Sequence, residues 1–180
     1  VLSLLMRQPA HGYLIAKVLN NIIGPIARAS NGRIYPLLAK LEEAGLIVAS
    51  DEEQDGRQVR TYRITEGGRS RFHELMMDTT SSPREYQELF SFKVSVFPFL
   101  APEERVFLVD HYIHYCRAHV MHLRSGAQEL QGEQSQQQAD PAGVDALLGV
   151  MQHRISQWEL EVAWAINLRQ IVGQMNNPLS

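Results

Sequence analysis

Ile34, Leu37, Leu38 and Leu41 fall at i, i+3, i+4 and i+7, a spacing that a helix, and not a strand, gathers on one face. Gly45 extends the stripe by one more turn and marks its end. Two strand-like segments follow at once, Leu46–Ser50 and Gln58–Thr65, separated by the polar turn Asp51–Gly56. A helix that runs straight into a hairpin must bury its apolar face against something earlier in the chain. Two short helices precede it: Val1–Arg7, which ends near Pro9, and Gly12–Ile23, where Ile15, Val18, Leu19 and Ile22 keep helical spacing before Gly24-Pro25. Ser30 or Asn31 is a fitting N-cap for the third helix, and Thr65 for a fourth over Glu66 to about Met77. The order is helix, helix, helix, strand, strand, helix.

Charge separates this region from the rest. Through His73 ten Lys and Arg stand against seven Asp and Glu, a balance of +3. From Glu74 onward seven stand against thirteen, a balance of −6, and together they return the formal −3 of the 180 residues. A basic front and an acidic back suit phosphate contact in one half and other work in the other. The single cysteine, Cys116, excludes a disulfide within the chain, and no segment reads as a membrane span. A cytoplasmic location is expected, as are native residues ahead of Val1, since the chain opens on Val. Thr79-Thr80-Ser81-Ser82-Pro83 is the turn-rich break, giving expected domains at 1–80 and 83–180.

The third helix has a second face, with Gly32, Arg33, Pro36, Ala39, Lys40 and Glu43, Asn31 at its start and Tyr35 on its flank. Small residues at Gly32 and Ala39 let a helix lie close to a groove floor. Arg33 has the fork of donors that matches guanine O6 and N7, and Asn31 matches an adenine edge. Lys40, about two turns along, suits a phosphate. Arg57 follows the Asp55-Gly56 turn and Arg60 follows in the same strand, placing basic side chains where a wing meets the minor groove or backbone. The acidic residues Asp51, Glu52, Glu53 and Asp55 are expected to point away from DNA. Pro36 falls just past the first turn, where it removes a backbone donor.

Four segments in order resemble the PadR family of transcriptional regulators: His11-Gly12-Tyr13, Ser30 through Leu38, Leu41 through Ile47, and Tyr62 through Arg69. They cover roughly the first 70 residues. The architecture of the long helical remainder is similar to the larger subfamily, named for a repressor of phenolic acid detoxification genes. The resemblance implies a winged helix followed by dimerising helices. It implies that Tyr13 contacts phosphate and that Ser30, Asn31, Arg33 and Tyr35 face the major groove. It also implies a repressor acting as a homodimer on a two-fold double-stranded DNA operator and released by a small aromatic effector.

Beyond the break the pattern is helical: Pro83 to about Leu100 with Phe90, Phe92, Phe97 and Phe99, then Pro102 to about Gln131, a Gln-rich connector, and about Ala142 to Met175. In the last helix Val144, Leu148, Met151, Ile155, Trp158, Val162 and Ala165 step alternately by four and three, an a/d seam. Trp164, Leu168, Ile171 and Met175 form a second stripe, and two stripes ask for two partners. The expectation is that Leu148, Met151, Ile155, Trp158 and Val162 meet a second subunit; the alternative is one wide core face in a monomer. His111, His114, His119 and His122 fall within about 140° of one another at about 100° per residue. They read either as a polar face or as a metal chelate. The back-half aromatics, Tyr112, Trp158 and Trp164 among them, read as core or as the lining of a small-molecule cleft. No phosphate loop, zinc-protease, nucleophile-elbow or paired-cysteine motif is present, so neither an enzyme nor a cofactor is expected. The fold expected is mainly α with a small β-hairpin wing: an N-terminal winged helix-turn-helix plus a C-terminal helical dimerisation domain. A winged domain that binds protein instead is the competing class, and salt-sensitive binding to a duplex separates the two.

Overall fold

A computed structural model describes residues 1–23, 31–54, 57–80, 85–135 and 141–175. Their contacts separate the chain into two units, Val1–Ser81 and Ser82–Ser180. In the first unit α1 (Leu2–Leu5), α2 (Gly12–Ile23), α3 (Asn31–Glu43) and α4 (Glu66–Met77) surround a three-stranded antiparallel sheet. Its strands are β1 (Ala10–His11), β2 (Ile47–Gln54) and β3 (Arg57–Ile64), in the order β1-β3-β2. The core is built from Leu5, Ile15, Ile34, Leu38, Ile47 and Phe72, all buried.

Three details differ from the sequence reading. The β2–β3 ladder continues from Ile47↔Ile64 to Gln54↔Arg57, so Asp51, Glu52 and Glu53 belong to a strand rather than to the turn. Backbone pairing overrides the weak strand preference of acidic residues. β1 pairs Ala10 with Tyr62 and His11 with Thr61; two residues are too few to show a period. Leu37, expected in the core stripe, is 42% exposed, whereas Ile34 and Leu38 are buried. The buried face of α3 is therefore narrower than its apolar pattern.

The end of α3 is tied down by a Schellman motif. Gly45 takes φ +68, which L side chains adopt at a cost. Its N–H bonds the Glu42 carbonyl at 2.9 Å, and the Leu46 N–H bonds the Leu41 carbonyl at 2.9 Å. Thr65 completes the joint. Its N–H bonds the Leu46 carbonyl at 3.1 Å, and its hydroxyl donates to the Gly45 carbonyl at 2.6 Å. The same oxygen accepts the Gly68 N–H at 3.0 Å, capping α4 as its sequence predicts.

The second unit holds α5 (Tyr86–Ser95), a short 3-10 turn at Phe97–Phe99, α6 (Pro102–Ser135) and α7 (Pro141–Met175). The aromatic helix expected to reach Leu100 stops at Ser95; Pro98, which has no N–H to donate, sits in the tighter turn that follows. α6 runs on through Ser135, into the stretch expected as connector. α6 and α7 form an antiparallel hairpin. Down its length Asp110 meets Arg169 at 2.7 Å, the Tyr112 hydroxyl donates to Glu161 at 2.8 Å, and Arg124 meets Glu159 at 2.5 Å. Phe90 stacks on Tyr112 at 3.8 Å between centroids, and both are wholly buried, so these aromatics are core. Burial pushes the neighbouring Cys116 thiol up to about 11.

The a/d seam of α7 faces its own α6. Val144, Ile155 and Ala165 are buried within one chain, with Val172 continuing the line, while Leu148, Met151, Trp158 and Val162 are half-buried. A methyl group on Gly126 of α6 would lie 2.9 Å from the Met151 side chain. Ile155, expected to meet a second subunit, is thus buried already within the single chain. A heptad seam specifies a helical neighbour without specifying whose it is.

Two glycines test the packing in opposite directions. A Cβ on Gly68 would run into the Leu46 carbonyl oxygen and sit 2.8 Å from an Ile64 side-chain carbon. Gly68→Ala is expected to cost about 3 kcal/mol or more, because backbone rather than a movable side chain must give way. A Cβ on Gly149 of α7 meets nothing within 4 Å, so Gly149→Ala is expected to stabilise by about 0.5–1 kcal/mol. Urea unfolding of the two variants checks both signs.

Candidate nucleic-acid interface

On the first unit, α3 presents Tyr35, Pro36, Leu37, Ala39 and Lys40 as an exposed face. Tyr35 is half-exposed, yet its ring reaches back over the start of α2: a Cβ on Gly12 would lie 2.9 Å from a ring carbon and 3.3 Å from its hydroxyl. Gly12 is thus the space that Tyr35 occupies. His11 caps this same helix, its Nδ1 accepting the Leu14 N–H at 3.1 Å. Tyr13 beside it is 69% exposed. The start of α2 carries free N–H groups and a partial positive charge, which together suit an anionic oxygen.

These elements enclose a hollow of about 550 Å³ whose walls include Gly12, Tyr13, Tyr35, Glu42, Arg60 and Tyr62. Here the structure adds what the sequence did not show. Arg60 of β3 is not a free cation: one of its guanidinium nitrogens lies 2.9 and 3.1 Å from the two Glu42 oxygens on α3. The carboxylate holds the guanidinium still more firmly protonated. Arg63 is paired likewise, 2.5 Å from Glu52, and that hydrogen bond draws the Glu52 carboxyl below its ordinary range. Glu52, one of the wing acids expected to point away from DNA, is thus the partner of a basic residue of the same hairpin. Glu42 lies eighteen residues before Arg60, and no local pattern connects them.

Of the expected DNA-facing residues, Tyr13, Tyr35, Lys40 and Arg60 lie on α2, α3 and β3 with the hollow among them or close by. Lys40 is exposed and forms no ion pair among the described residues. Asn31 and Arg33 are at the start of α3, and Arg57 opens β3; their side chains, like Ser30 as a whole, lie outside the described residues. The four histidines of α6 do not converge. His111 Nδ1 lies 2.9 Å from the Tyr86 hydroxyl, His114 donates to the Asp110 carbonyl at 2.7 Å, and His119 stacks on Trp158. Among the described residues no group of three His, Cys, Asp or Glu is placed to hold a metal ion.

Residues 1–74 match the model of the transcriptional regulator PadR-like family. The N-terminal unit belongs to the PadR-like family. That family is one of transcriptional regulators, not of enzymes. The chain is similar to the transcriptional regulator Rv3488 of Mycobacterium tuberculosis, with 45% identity over 47 residues. That match covers 26% of this chain and 44% of the relative, so the chain spans less than half the length of the curated relative it matches. Among solved structures it is similar to Bacillus subtilis PadR in complex with operator DNA, with 20% identity and a TM-score of 0.42 over 95% of this chain and 94% of that one. It is also similar to the same protein in complex with p-coumaric acid, with 20% identity and a TM-score of 0.40 over 96% and 92%. The PadR-like unit here is a winged helix in its own geometry, with α3 followed directly by the β2–β3 wing. Among the described residues no helix is long and apolar enough to cross a membrane.

The cap at the start of α2 is open to test. His11→Ala removes the only side-chain acceptor shown at that helix start and is expected to cost about 1 kcal/mol, whereas His11→Asn retains most of it. The shift of the urea midpoint at unchanged m reads the difference.

Proposed function

We propose that the chain is a sequence-specific, DNA-binding transcriptional regulator, cytoplasmic, that binds a two-fold operator as a homodimer. The observation that carries the reading is the single face formed by the α2 start, α3 and β3, where Tyr13, Tyr35 and Lys40 are exposed together on a PadR-like unit. In this reading Arg33, Asn31, Ser30 and Tyr35 enter the major groove. Tyr13 and Lys40 hold phosphates, and Arg57 and Arg60 lie along the wing contact. A repressor released by a small aromatic effector is the form that the family resemblance supports. Such a ligand weakens operator binding only by preferring the incompetent state, and a tenfold effect takes about 1.4 kcal/mol of preference.

The Glu42–Arg60 pair changes what is expected of each cation. Arg33→Ala is expected to cost about 1–3 kcal/mol on the cognate site and relax preference at one base position. Lys40→Ala weakens cognate and scrambled duplexes alike and lowers the salt slope by about one. Glu42→Gln works the other way. It frees Arg60, so binding to both duplexes tightens and the salt slope steepens by up to about one. Titration of each variant against both duplexes at several salt concentrations measures all three. An Arg33→Ala variant with unchanged affinity and preference overturns the placement of α3 in the major groove.

For the homodimer, the support is what α7 leaves uncovered. With the a/d seam turned to α6, Val150, Leu160, Trp164 and Ile171 stay exposed. They lie within about 80° of one another around the helix at about 100° per residue. Four large apolar side chains along one helix face mark a contact surface. Leu160→Glu with Ile171→Glu is expected to give a folded monomer, whereas Ile155→Glu unfolds the hairpin by burying a charge. Sedimentation and circular dichroism separate the two. Parent protein that stays monomeric at micromolar concentration sinks the dimer.

A further inference from the structure

Polar groups that face each other across the α6–α7 hairpin are complementary at three places: Asp110 with Arg169, Tyr112 with Glu161, and Arg124 with Glu159. One place breaks this rule. His119 and His122 of α6 confront Arg154 of α7 around a cleft of about 690 Å³, and Trp158, Leu123 and Leu160 supply its apolar wall. Among the described residues neither Arg154 nor His122 forms a hydrogen bond or ion pair. The nearest acids of α7 are engaged elsewhere. Glu159 meets Arg124, and Glu161, which also lines the cleft, accepts the Tyr112 hydroxyl.

Stacking fixes His119 at the cleft. The His119 ring lies parallel to Trp158 at 4.2 Å between centroids, tilted by only 5°, and the Tyr115 ring meets it edge-on at 4.6 Å. The imidazole is thereby fixed in place beside Arg154. Its pKa is held below the ordinary histidine value by burial, then by the charges of His122 and Arg154. Arg154 and the two imidazoles thus face an apolar-walled space in which the one carboxylate among the described residues, Glu161, is already engaged by Tyr112.

We propose that this cleft binds a small ligand through an oxyanion headgroup, carboxylate or phosphate, held by Arg154, His119 and His122, with the rest of the ligand against Leu123, Leu160 and Trp158. Arg154 supplies parallel donors to two oxygens, and each imidazolium supplies one more. The site lies wholly within the second unit and stands independently of DNA binding.

The groups facing His119 are Tyr115 and His122 on α6, Arg154, Trp158 and Glu161 on α7, and the neutral Gln87 on α5. An anion among them favours the protonated His119 imidazole, so binding tightens as pH falls from about 8 to about 6.

The test uses the whole chain with two probes, inorganic phosphate and butyrate, at fixed ionic strength. Binding is followed by calorimetry and by the His119 imidazole resonances. The expected result is saturable binding of at least one probe at about pH 6, weaker by about tenfold or more at about pH 8. Phosphate alone binding assigns a phosphorylated ligand; butyrate alone assigns a carboxylic acid. Arg154→Gln is expected to weaken binding by about tenfold or more, and His122→Gln to act in the same direction. Arg154→Glu is expected to abolish binding, since it sets a carboxylate against the headgroup. The proposal is overturned if neither probe saturates, or if folded Arg154→Gln and His122→Gln bind as the parent does.

Discussion

The first unit depends on one joint, where the Gly45 and Leu46 carbonyls meet Thr65. α3 ends there in a left-handed glycine, and both of its last donors turn back onto its own carbonyls. The next carbonyls are taken by Thr65, the residue between β3 and α4. Gly68 sits against the same Leu46 carbonyl, with no room for a side chain. One residue's hydroxyl and amide thus set the angle between α3, the hairpin and α4. The joint fixes that angle with groups that would otherwise be unsatisfied helix ends.

Electrostatics on the presented face is subtler than its arginines suggest. Arg60 and Arg63 are each neutralised by a carboxylate. These exposed pairs add little to stability. Their effect is on what approaches: a paired arginine is positioned and attracts a polyanion less at long range. Lys40 carries its charge without such a partner among the described residues. Glu42 therefore links α3 to β3 and lowers the net positive charge of this face.

In the second unit, helix neighbours are assigned by what α6 offers α7. Leu108, Val109, Ile113, Cys116 and Val120 are buried along α6, and the a/d seam of α7 fills the space opposite. The aromatic residues of α5 close one end, with Phe90 between Tyr112 and Trp164. That leaves an exposed apolar stripe on α7 and, adjoining it at Leu160, a cleft lined by Arg154 and two imidazoles.

Local pattern determined much of this in the sequence. The helices α2, α3, α4 and α7 follow from apolar spacing and end signals such as Gly45 and Thr65, because a helix is specified by residues a turn apart. The four PadR-like segments specified the family of the N-terminal unit, because their order and spacing are themselves sequence properties. Other features needed the folded chain. β1 is too short to have a period. The Glu42–Arg60 pair spans eighteen residues. The seam through Ile155 fits a helix of its own chain as well as a second copy, and only the packed hairpin chose between them. The His119 and His122 imidazoles and the Arg154 guanidinium lie on two helices more than thirty residues apart in the chain. Periodicity tells which side of a helix seeks a partner, but the partner's identity is a long-range contact, and that is decided when the chain packs.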